Sequence, residues 1–316
     1  MRMLFVMDPV ERINIRKDTT FAFMLEAQAR GHEVHVCGLE GLRARGSSAW
    51  ATASRVTLRR EEGNHVDVEE PVAHPLEHWS AVWMRKDPPF DMEYVYATYL
   101  LERADPSRTL VLNRPSGLRN ANEKAFILNV PEVTPETMIG RDRGEIRRFV
   151  EEVGGVGVIK PLDGMGGAGI FQLRLEDPNF SAIWEGVTDH GRRFAMVQSF
   201  VPEAAQGDKR LLLMDGEPLG AILRVPARGE FRGNMAAGGT AVAAEVTERD
   251  REIVAAVAPR LREEGLWFVG LDIIGGLLTE VNVTSPTGVQ EANRLCGLHV
   301  EGAVLDWVEG RVPRSA

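Results

Sequence analysis

The residues with the clearest potential for chemistry lie in a glycine-rich segment, Lys160-Pro161-Leu162-Asp163-Gly164-Met165-Gly166-Gly167-Ala168-Gly169. A strand predicted over 157–160 ends in Lys160, and a second strand, over 169–173, leaves the segment. Glycines let backbone N–H groups approach phosphate oxygens, and Lys160 adds a positive charge. No Gly-Lys-Ser/Thr sequence follows, so the segment is not a P-loop. By itself it fits either a phosphate-binding loop or a flexible hairpin tip.

A second set of residues suits a metal ion. Glu280 and Asn282 are two positions apart on a strand predicted over 277–283, so both side chains leave the same face. Their oxygens suit Mg²⁺, and Asp272 on the preceding strand, 267–274, is the natural third ligand. The alternative is an ordinary solvated strand face. The apolar residues around Asp272 disfavour this alternative, because a buried carboxylate needs a compensating cation.

The hairpin between these two strands sets a condition on the metal site. A regular two-residue turn at Gly275-Gly276 would place Asp272 opposite Thr279 and on the wrong face for Glu280. The ligands meet only if the loop has an odd number of residues or if a bulge shifts the register. We expect an odd loop.

Basic residues recur at strand ends although the chain is acidic, with a formal net charge of −9. They occur in Arg85-Lys86-Asp87-Pro88-Pro89-Phe90 and Gly207-Asp208-Lys209-Arg210, and at Arg224, Arg228 and Arg232. The guanidinium fork suits carboxylates and phosphates, and this recurrence favours anion binding over separate surface charges. The glycine-rich loop 226–240 fits either a mobile lid or a plain surface loop.

The elements that must position these residues alternate as β-α-β in the first third of the chain. Strands are predicted at 4–7, 33–37, 81–84 and 110–112, with helices from Thr19 or Thr20 to Arg30 and over 92–103. The pattern predicts a mostly parallel sheet, with a hairpin at 55–70 attached to it. Beyond a turn-rich boundary at 114–117, helices are predicted at 123–128, 142–153 and 247–264, and strands at 195–198, 209–214 and 218–224.

Composition excludes several classes of protein. Of 316 residues, 44% are hydrophobic and 26% charged, which argues against disorder and suits two or three subdomains. No apolar run approaches the ~20 residues of a membrane span, and the acidic charge disfavours nucleic-acid binding. The two distant cysteines, Cys37 and Cys296, lack metal-ligand spacing and favour the reducing cytoplasm.

Taken together, these residues resemble the ATP-grasp superfamily and, within it, the bacterial glutathione synthetases. The resemblance runs nearly end to end. It rests on Met7-Asp8-Pro9, Asn14-Ile15, the 85–90 run, Asn122-Glu123-Lys124, the 160–167 run, the 207–210 run, Arg232-Gly233-Asn234, the 269–274 run and the 280–287 run. Lys124, Lys160, Glu280 and Asn282 are the general ATP-grasp signals, whereas the 85–90 and 282–287 runs point to the narrower family.

The resemblance implies an α/β architecture of the ATP-grasp type. An N-terminal, mostly parallel α/β domain (1–120) on the substrate side joins two α+β subdomains that clamp ATP. The small subdomain (121–200) carries the glycine loop, and the C-terminal subdomain (201–316) carries the metal site and the lid. The implied reaction ligates γ-glutamylcysteine to glycine with ATP through an acyl phosphate. Two Mg²⁺ ions, with Mn²⁺ as an alternative ion, and a homo-oligomeric state are also implied.

The resemblance also implies residue roles. Arg210 would stabilise the reacting carboxyl group and, with Lys160, is the catalytic prediction. The nucleotide site would comprise Lys124, Lys160, Gly164, Gly166, Gly167, Gln198, Ser199, Val201 and Asp208. The other substrates would meet Asn14, Arg85, Arg224, Ser285 and Thr287, and the metal ligands would be Asp272, Glu280 and Asn282. Two positions depart from the family pattern: Thr240 replaces an expected arginine, and Gln290 an expected basic residue.

Two other functions stay open from the sequence. The first is a different ATP-grasp carboxylate–amine ligase, which only the substrate-side motifs distinguish. The second is a non-catalytic nucleotide-binding regulator. Such a regulator is expected to lack the metal set or the strand-end arginines, and this chain has both.

Overall fold

A computed structural model of the chain describes residues 1–229, 233 and 238–313. Three sheets with helices packed on them make up this described part. Most of the predicted lid tip, at 230–232 and 234–237, lies outside the described residues, and so do Arg232 and Asn234 of the family motif. None of the described helices is long and apolar enough to cross a membrane.

The N-terminal domain contains the predicted parallel sheet. Its strands are β1 (Arg2–Val6), β2 (Glu33–Cys37), β3 (Leu42–Arg45), β4 (Ser48–Leu58), β5 (Val66–Val68), β6 (Val72–Pro75), β7 (Ala81–Met84) and β8 (Leu110–Leu112), and its helices are α1 (Thr19–Ala29), α2 (Met92–Leu101) and α3 (Pro115–Asn120). The strand order is β3-β4-β2-β1-β7-β8, and β2, β1, β7 and β8 run in parallel. The antiparallel pair β4–β5 confirms the predicted hairpin.

Helix α1 begins differently from its prediction. The expected caps were Thr19 or Thr20, but the cap is Asp18, whose Oδ1 accepts the Phe21 N–H at 2.6 Å. A carboxylate at this position satisfies one of the free N–H groups of the first turn and suits the helix dipole. The prediction was wrong because the sequence offers three adjacent residues of capping type.

The small subdomain is an antiparallel sheet covered by two helices. It contains β9 (Thr137–Gly140), β10 (Val156–Pro161), β11 (Phe171–Arg174) and β12 (Ala195–Ser199), with α4 (Arg143–Glu152) and α5 (Phe180–Thr188). The strand order is β11-β10-β12-β9. The glycine-rich segment connects β10 to its neighbour β11, as the sequence predicts, so the loop projects from one end of the sheet.

The C-terminal subdomain is a second antiparallel sheet. It contains β13 (Asp208–Met214), β14 (Glu217–Val225), β15 (Thr240–Ala244), β16 (Phe268–Ile274) and β17 (Leu277–Asn282), with α6 (Glu248–Glu264), α7 (Val289–Cys296) and α8 (Val300–Arg311). The strand order is β15-β14-β13-β16-β17. Central β13 therefore carries its polar first residues between β14 and β16, which is the position that brings Arg210 beside Asp272.

The hairpin β16–β17 corrects the predicted loop length. Gly275 and Gly276, at φ 57° and 74°, form a two-residue turn, because Ile274 pairs directly with Leu277. The expected odd loop is thus wrong. The second possibility, a bulge, is the one observed. The bulge lies next to Asp272 and shifts the register, so that Asp272 lies opposite Glu280. Thr279 is the extra residue.

The hydrophobic cores are shared unequally among the domains. Two large clusters each combine side chains of the N-terminal domain with side chains of the C-terminal subdomain, for example Trp79 with Leu271 and Phe23 with Phe268. The third cluster contains small-subdomain residues alone, among them Ile146 and Ile159. The N-terminal and C-terminal parts thus pack as one body, whereas the small subdomain has a core of its own and also contributes Met196 of β12 to the first shared cluster.

Candidate active site

A cavity of about 700 Å³ opens where the three domains meet. Its wall contains all of the site residues predicted from the sequence except Arg85. Cavities of this size accommodate a nucleotide or a comparable ligand. The sequence thus identified residues that lie far apart along the chain but surround one space.

The glycine loop and Lys160 form one side of the cavity. Gly166 and Gly167 have φ of 62° and 83°, left-handed values that side chains disfavour. Lys160 is buried, and its Nζ donates to the Thr279 carbonyl at 3.2 Å. Burial lowers the pKa of Lys160, chiefly because the charged form loses solvation. An anionic ligand at this point would restore the lost charge compensation.

Lys124 connects this loop to the metal strand. Its Nζ donates to the Gly164 carbonyl at 2.5 Å and to Glu280 Oε1 at 3.2 Å. The turn that presents it is built by Asn122, whose Oδ1 accepts the N–H groups of Lys124 and Ala125 and whose Nδ2 donates to the Leu162 carbonyl. The two predicted lysines therefore lie on the same cavity as the predicted metal ligands.

Two arginines converge on Asp272. Arg210 donates from Nε and Nη2 to the two carboxylate oxygens, at 2.5 and 3.1 Å, and Arg224 Nη2 lies 2.9 Å from Oδ2. Burial alone would raise the pKa of Asp272, but the two guanidinium groups hold it well below its ordinary value. The carboxylate is thus ionised and fixed, as a metal ligand needs to be.

Asp208 lies on the other side of Arg224, which donates to its Oδ2. Among the described residues, the buried Oδ1 of Asp208 has no hydrogen-bond partner. Burial raises the pKa of Asp208 to about 7, against the opposing effect of Arg224, and the nearby Asp272 raises it further. A buried acceptor without a donor, in the wall of a cavity, calls for a hydroxyl or cation from a ligand.

The acidic strand pair fits a magnesium ion. Glu280 lies opposite Asp272, and Asn282 lies opposite Gly270, whose carbonyl accepts from Asn282 Nδ2 at 3.2 Å. Because the amide nitrogen of Asn282 makes this contact, its amide oxygen is the atom that can bind a metal ion. Two carboxylates and an amide oxygen are the hard donors that Mg²⁺ prefers. The repulsion expected between Asp272 and Glu280 is offset by Arg210, Arg224 and Lys124.

The predicted adenine hinge lies at the end of β12. Gln198 Nε2 donates to Thr137 Oγ1 at 3.0 Å, and the Ser199 N–H donates to the Glu136 carbonyl at 2.9 Å. Val201 follows and packs against the turn at Gly275. The hinge is therefore anchored to both the small subdomain and the C-terminal hairpin.

The segment after β17 forms the wall that faces the N-terminal domain. Ser285 and Thr287 line the cavity, and the Thr287 carbonyl accepts from Arg210 Nη1 at 3.1 Å. Asn14, from the N-terminal domain, also lines the cavity. Arg85 lies behind this wall: it donates to Thr20 Oγ1 and to the Pro286 carbonyl and is stacked between Phe23 and Phe268. The structure gives it contacts that hold the wall rather than a place in the cavity.

Glu123 lines the cavity but has no role predicted from the sequence. Buried Glu123 accepts the N–H groups of Val283 and Thr284, at 2.8 and 3.0 Å, and the Thr284 hydroxyl, and so fixes the chain just beyond the metal strand. Burial raises the pKa of Glu123. The one signal in the sequence is its place beside Lys124 in the family motif, because a single glutamate otherwise indicates a surface position.

The two departures from the family pattern have different settings. Thr240 is exposed and begins β15. Gln290 bridges the domains: its Nε2 donates to the carbonyls of Ile15 and Asp18, at 3.0 and 2.5 Å, and its Oε1 accepts from Arg60. A neutral amide can serve both partners at once because it offers a donor and an acceptor.

Two antiparallel α+β subdomains face one cavity. One of them carries a glycine loop and the other an acidic strand. This combination defines the class of ATP-grasp ligases. D-cycloserine synthetase DcsG has this fold, with a TM-score of 0.66 and 15% identity over 97% of this chain and 99% of that chain. Family models described as the prokaryotic glutathione synthetase N-terminal domain and ATP-grasp domain match residues 1–119 and 123–297.

Relatives at high identity agree with these family models. Glutathione synthetase from Vibrio parahaemolyticus is 49% identical over 308 residues, and that from Yersinia pestis is 47% identical over 309 residues, each alignment spanning 97% of both chains. The chain belongs to the prokaryotic glutathione synthetase family. It is an ATP-dependent ligase with the glutathione synthetase function.

Proposed function

We propose that the cavity joins γ-glutamylcysteine to glycine in two steps that share one ATP. The cysteinyl carboxylate attacks the γ-phosphorus of ATP, which releases ADP and leaves an acyl phosphate. The glycine amine then attacks the acyl carbon and expels phosphate. The observation that carries this proposal is the arrangement of Arg210 and Asp272 between the phosphate-binding lysines and the 285–287 wall.

The nucleotide assignment rests on the charged groups of the ATP-grasp subdomains. Lys124, Lys160 and the N–H groups of the glycine loop would hold the phosphates, and the hinge at 198–201 would hold the adenine. The unpartnered Oδ1 of Asp208 supports a hydrogen bond from the ribose. These contacts also orient the γ-phosphorus, which is the main contribution of proteins to phosphoryl transfer.

Asp272, Glu280 and Asn282 would hold two Mg²⁺ ions. When bound, the ions offset negative charge on the phosphates during transfer. The protein's own part is to pair each carboxylate with a cation, Asp272 with Arg210 and Arg224 and Glu280 with Lys124. This arrangement also explains why three cations surround the acidic strand pair.

Arg210 would act on the reacting carboxyl group. Asp272 and the Thr287 carbonyl fix three of its nitrogen atoms, so the guanidinium needs little reorganisation as charge develops on the acyl oxygen. Ser285 and Thr287 would bind glycine beside it. Glycine bound on this wall would present its amine to the acyl carbon.

A cytoplasmic homo-oligomer is the proposed form of the enzyme. The thiols of Cys37 and Cys296 are both unpaired, which suits a reducing compartment. Met92, Tyr96 and Tyr99 are about half exposed on one face of α2, and an apolar strip of this kind is typical of a subunit interface. Mass photometry of the purified chain would reveal the oligomeric state.

A panel of acyl donors tests the proposed reaction. We expect ADP release in the presence of glycine only with γ-glutamylcysteine, with glutathione formed in equal amount. The control donors are a dipeptide with an α-linked glutamyl group and a peptide with a free C-terminal carboxylate. Turnover with these donors, and none with γ-glutamylcysteine, would favour the rival carboxylate–amine ligase.

A further inference from the structure

The outer edge of β17 is held by a residue to which the proposed chemistry gives no role. β17 is the last strand of the C-terminal sheet, so its outer N–H groups face no neighbouring strand. Glu123 accepts two of them: its main-chain carbonyl accepts the Val281 N–H at 2.9 Å, and its Oε1 accepts the Val283 N–H at 2.8 Å. Both valines are fully buried, where an N–H without a partner is costly.

These two contacts lie on either side of Asn282, one of the proposed metal ligands. Val281 and Val283 donate outward to Glu123, whereas Asn282 itself pairs inward with Gly270 of β16. The main chain is therefore held before, at and after the ligand. Since the Asn282 side chain is short, the position of its amide oxygen depends closely on this main chain.

The same carboxylate oxygen also holds the chain beyond the strand. Glu123 Oε1 accepts the Thr284 N–H at 3.0 Å and the Thr284 hydroxyl at 2.9 Å. The Val283 carbonyl accepts from Asn113 Nδ2 at 2.9 Å, so residue 283 is fixed at its N–H by one side chain and at its carbonyl by another. The wall at 285–287 begins directly after these contacts, which therefore also determine where the wall starts.

The contacts of Glu123 suit a residue that holds the strand better than one that binds a metal ion. Its Oε1 accepts three hydrogen bonds, so this oxygen is engaged by the protein itself. A charged acceptor makes these bonds stronger than a neutral one would. The next residue, Lys124, forms the ion pair with Glu280 at 3.2 Å. Adjacent residues thus divide the strand between them, because one pairs with a side chain and the other holds the main chain.

We propose that Glu123 is a positioning residue for the metal site. It holds the main chain on both sides of Asn282 and at the start of the 285–287 wall, and it acts through them without binding metal or substrate itself. This inference rests on the proposed function, since it takes Asn282 as a Mg²⁺ ligand and the wall as the place of glycine.

Three variants at this contact separate its parts. Glu123→Ala removes the carboxylate but keeps the main-chain carbonyl that accepts the Val281 N–H. Glu123→Gln keeps an oxygen acceptor without the charge, and Thr284→Val removes only the hydroxyl that donates to Oε1. The matched control is Glu77→Ala, because Glu77 Oε1 also accepts a main-chain N–H, that of Asp105 at 3.1 Å, in a part of the N-terminal domain that does not line the described cavity.

Hydrogen exchange of the metal-free, nucleotide-free protein, resolved to single amides, tests the contact itself. We expect the Val283 and Thr284 amides to exchange about ten- to hundredfold faster in Glu123→Ala, the loss typical of a hydrogen bond to a charged group. The Val281 amide is the internal control and should change less than about threefold, because its acceptor is kept. Glu123→Gln should give values between those of Glu123→Ala and the original protein.

Binding of Mn²⁺ in the presence of a non-hydrolysable ATP analogue, followed by electron paramagnetic resonance, tests the effect on the metal site. Glu123→Ala should weaken Mn²⁺ binding about ten- to hundredfold, as loss of a residue that orients a metal ligand does. Thr284→Val should weaken it about three- to tenfold, the value of one hydrogen bond. In Glu123→Ala the KM for glycine should rise at least about threefold, whereas the KM for γ-glutamylcysteine should stay within about threefold.

Three outcomes would overturn the assignment. Unchanged exchange of the Val283 and Thr284 amides in Glu123→Ala would show that the carboxylate does not hold the strand. Lost Mn²⁺ binding in Glu123→Ala with normal binding in Thr284→Val would make Glu123 a metal ligand itself. Equal losses in Glu77→Ala would indicate general destabilisation.

Failure of the proposed function would be seen separately. If the unaltered enzyme does not ligate γ-glutamylcysteine, the proposed reaction is wrong. The exchange and Mn²⁺ measurements need no acyl donor, so they decide the role of Glu123 in either case.

Discussion

Arg210 shows how much of the proposed chemistry depends on the shape of one side chain. Its fork engages both oxygens of Asp272 and the Thr287 carbonyl. We predict that Arg210→Lys lowers kcat about 100- to 1000-fold, as loss of an oxyanion donor does, because an ammonium keeps the charge but cannot span three acceptors. Steady-state assays should show a KM for ATP within about threefold of the original.

The matched control for this variant is Arg262→Lys, since Arg262 pairs with Asp215 and Glu217 at the surface. Its kcat should not change. A value of kcat for Arg210→Lys close to that of the unaltered enzyme would exclude Arg210 from the reacting centre.

Asp208 gives a prediction about pH. Its ordinary pKa is 3.8, and burial raises it to about 7 in the folded protein. Between these values the folded state binds more protons than the unfolded state, so stability falls as pH rises. From pH 4 to 8, the free energy of unfolding should fall on the order of a few kcal/mol more for the original protein than for Asp208→Asn.

Urea titrations of the metal-free, nucleotide-free protein at a series of pH values would measure this difference. Only the slope against pH is compared, so a constant offset from the substitution has no effect on the result. Parallel curves for the two proteins would mean that Asp208 titrates normally.

At the residue scale, the sequence predicted side chains whose chemistry stands out by type and spacing. Lys160 and the Glu280–Asn282 pair are of this kind, whereas Lys124 was predicted only through the family resemblance. Glu123 and Gln290 were not predicted to contact backbone groups of distant segments, because only folding brings those segments together. Asn113, which makes four hydrogen bonds to the C-terminal subdomain, was missed for the same reason.

The glycine loop is the element whose backbone matters most. We predict that Gly166→Ala raises the KM for ATP about 5- to 30-fold, because a left-handed alanine costs ~1–2 kcal/mol that the loop must regain on closing over phosphate. Gly166 has φ 62°. ATP titrations followed by ADP release would measure the change.

Gly154→Ala serves as the matched control for the loop. Gly154 also has a left-handed φ, 94°, but lies in the turn before β10 with open space around it. Gly154→Ala should lower the free energy of unfolding by about as much as Gly166→Ala does and leave the KM for ATP unchanged. Equal effects of both substitutions on ATP would mean that the loop conformation is not specific to nucleotide binding.

At the element scale, strands and helices with strong periodicity were predicted closely, whereas their connections were not. Strands β2, β7 and β8 begin and end where the sequence indicates. The sequence analysis assigned the wrong loop to the β16–β17 hairpin. The residue pattern requires a one-residue shift in the strand pairing, but it does not show where the extra residue lies. A bulge and an odd loop give the same relation between Asp272 and Glu280, and the choice depends on packing.

The whole molecule is divided by its cores. The sheet of the small subdomain packs mainly around its own cluster, and only Met196 of its strands joins a shared one, whereas the other two parts share both of their clusters. We predict that amide hydrogen exchange in β10 and β12 proceeds through an opening on the order of 2 kcal/mol easier than that of β13 and β16. Addition of ATP and Mg²⁺ should reduce this difference in opening free energy between the two sheets, since ligand contacts then join the subdomains. Equal protection in both sheets without ligand would contradict a separate unit.

The fate of one oxygen atom tests the central claim most directly. γ-Glutamylcysteine labelled with ¹⁸O in its cysteinyl carboxylate is incubated with ATP, glycine and the enzyme, and the released phosphate is analysed by mass spectrometry. If the carboxylate attacks the γ-phosphorus at this site, one ¹⁸O appears in phosphate for each glutathione formed. Glutathione formed with no label in the phosphate would contradict the account.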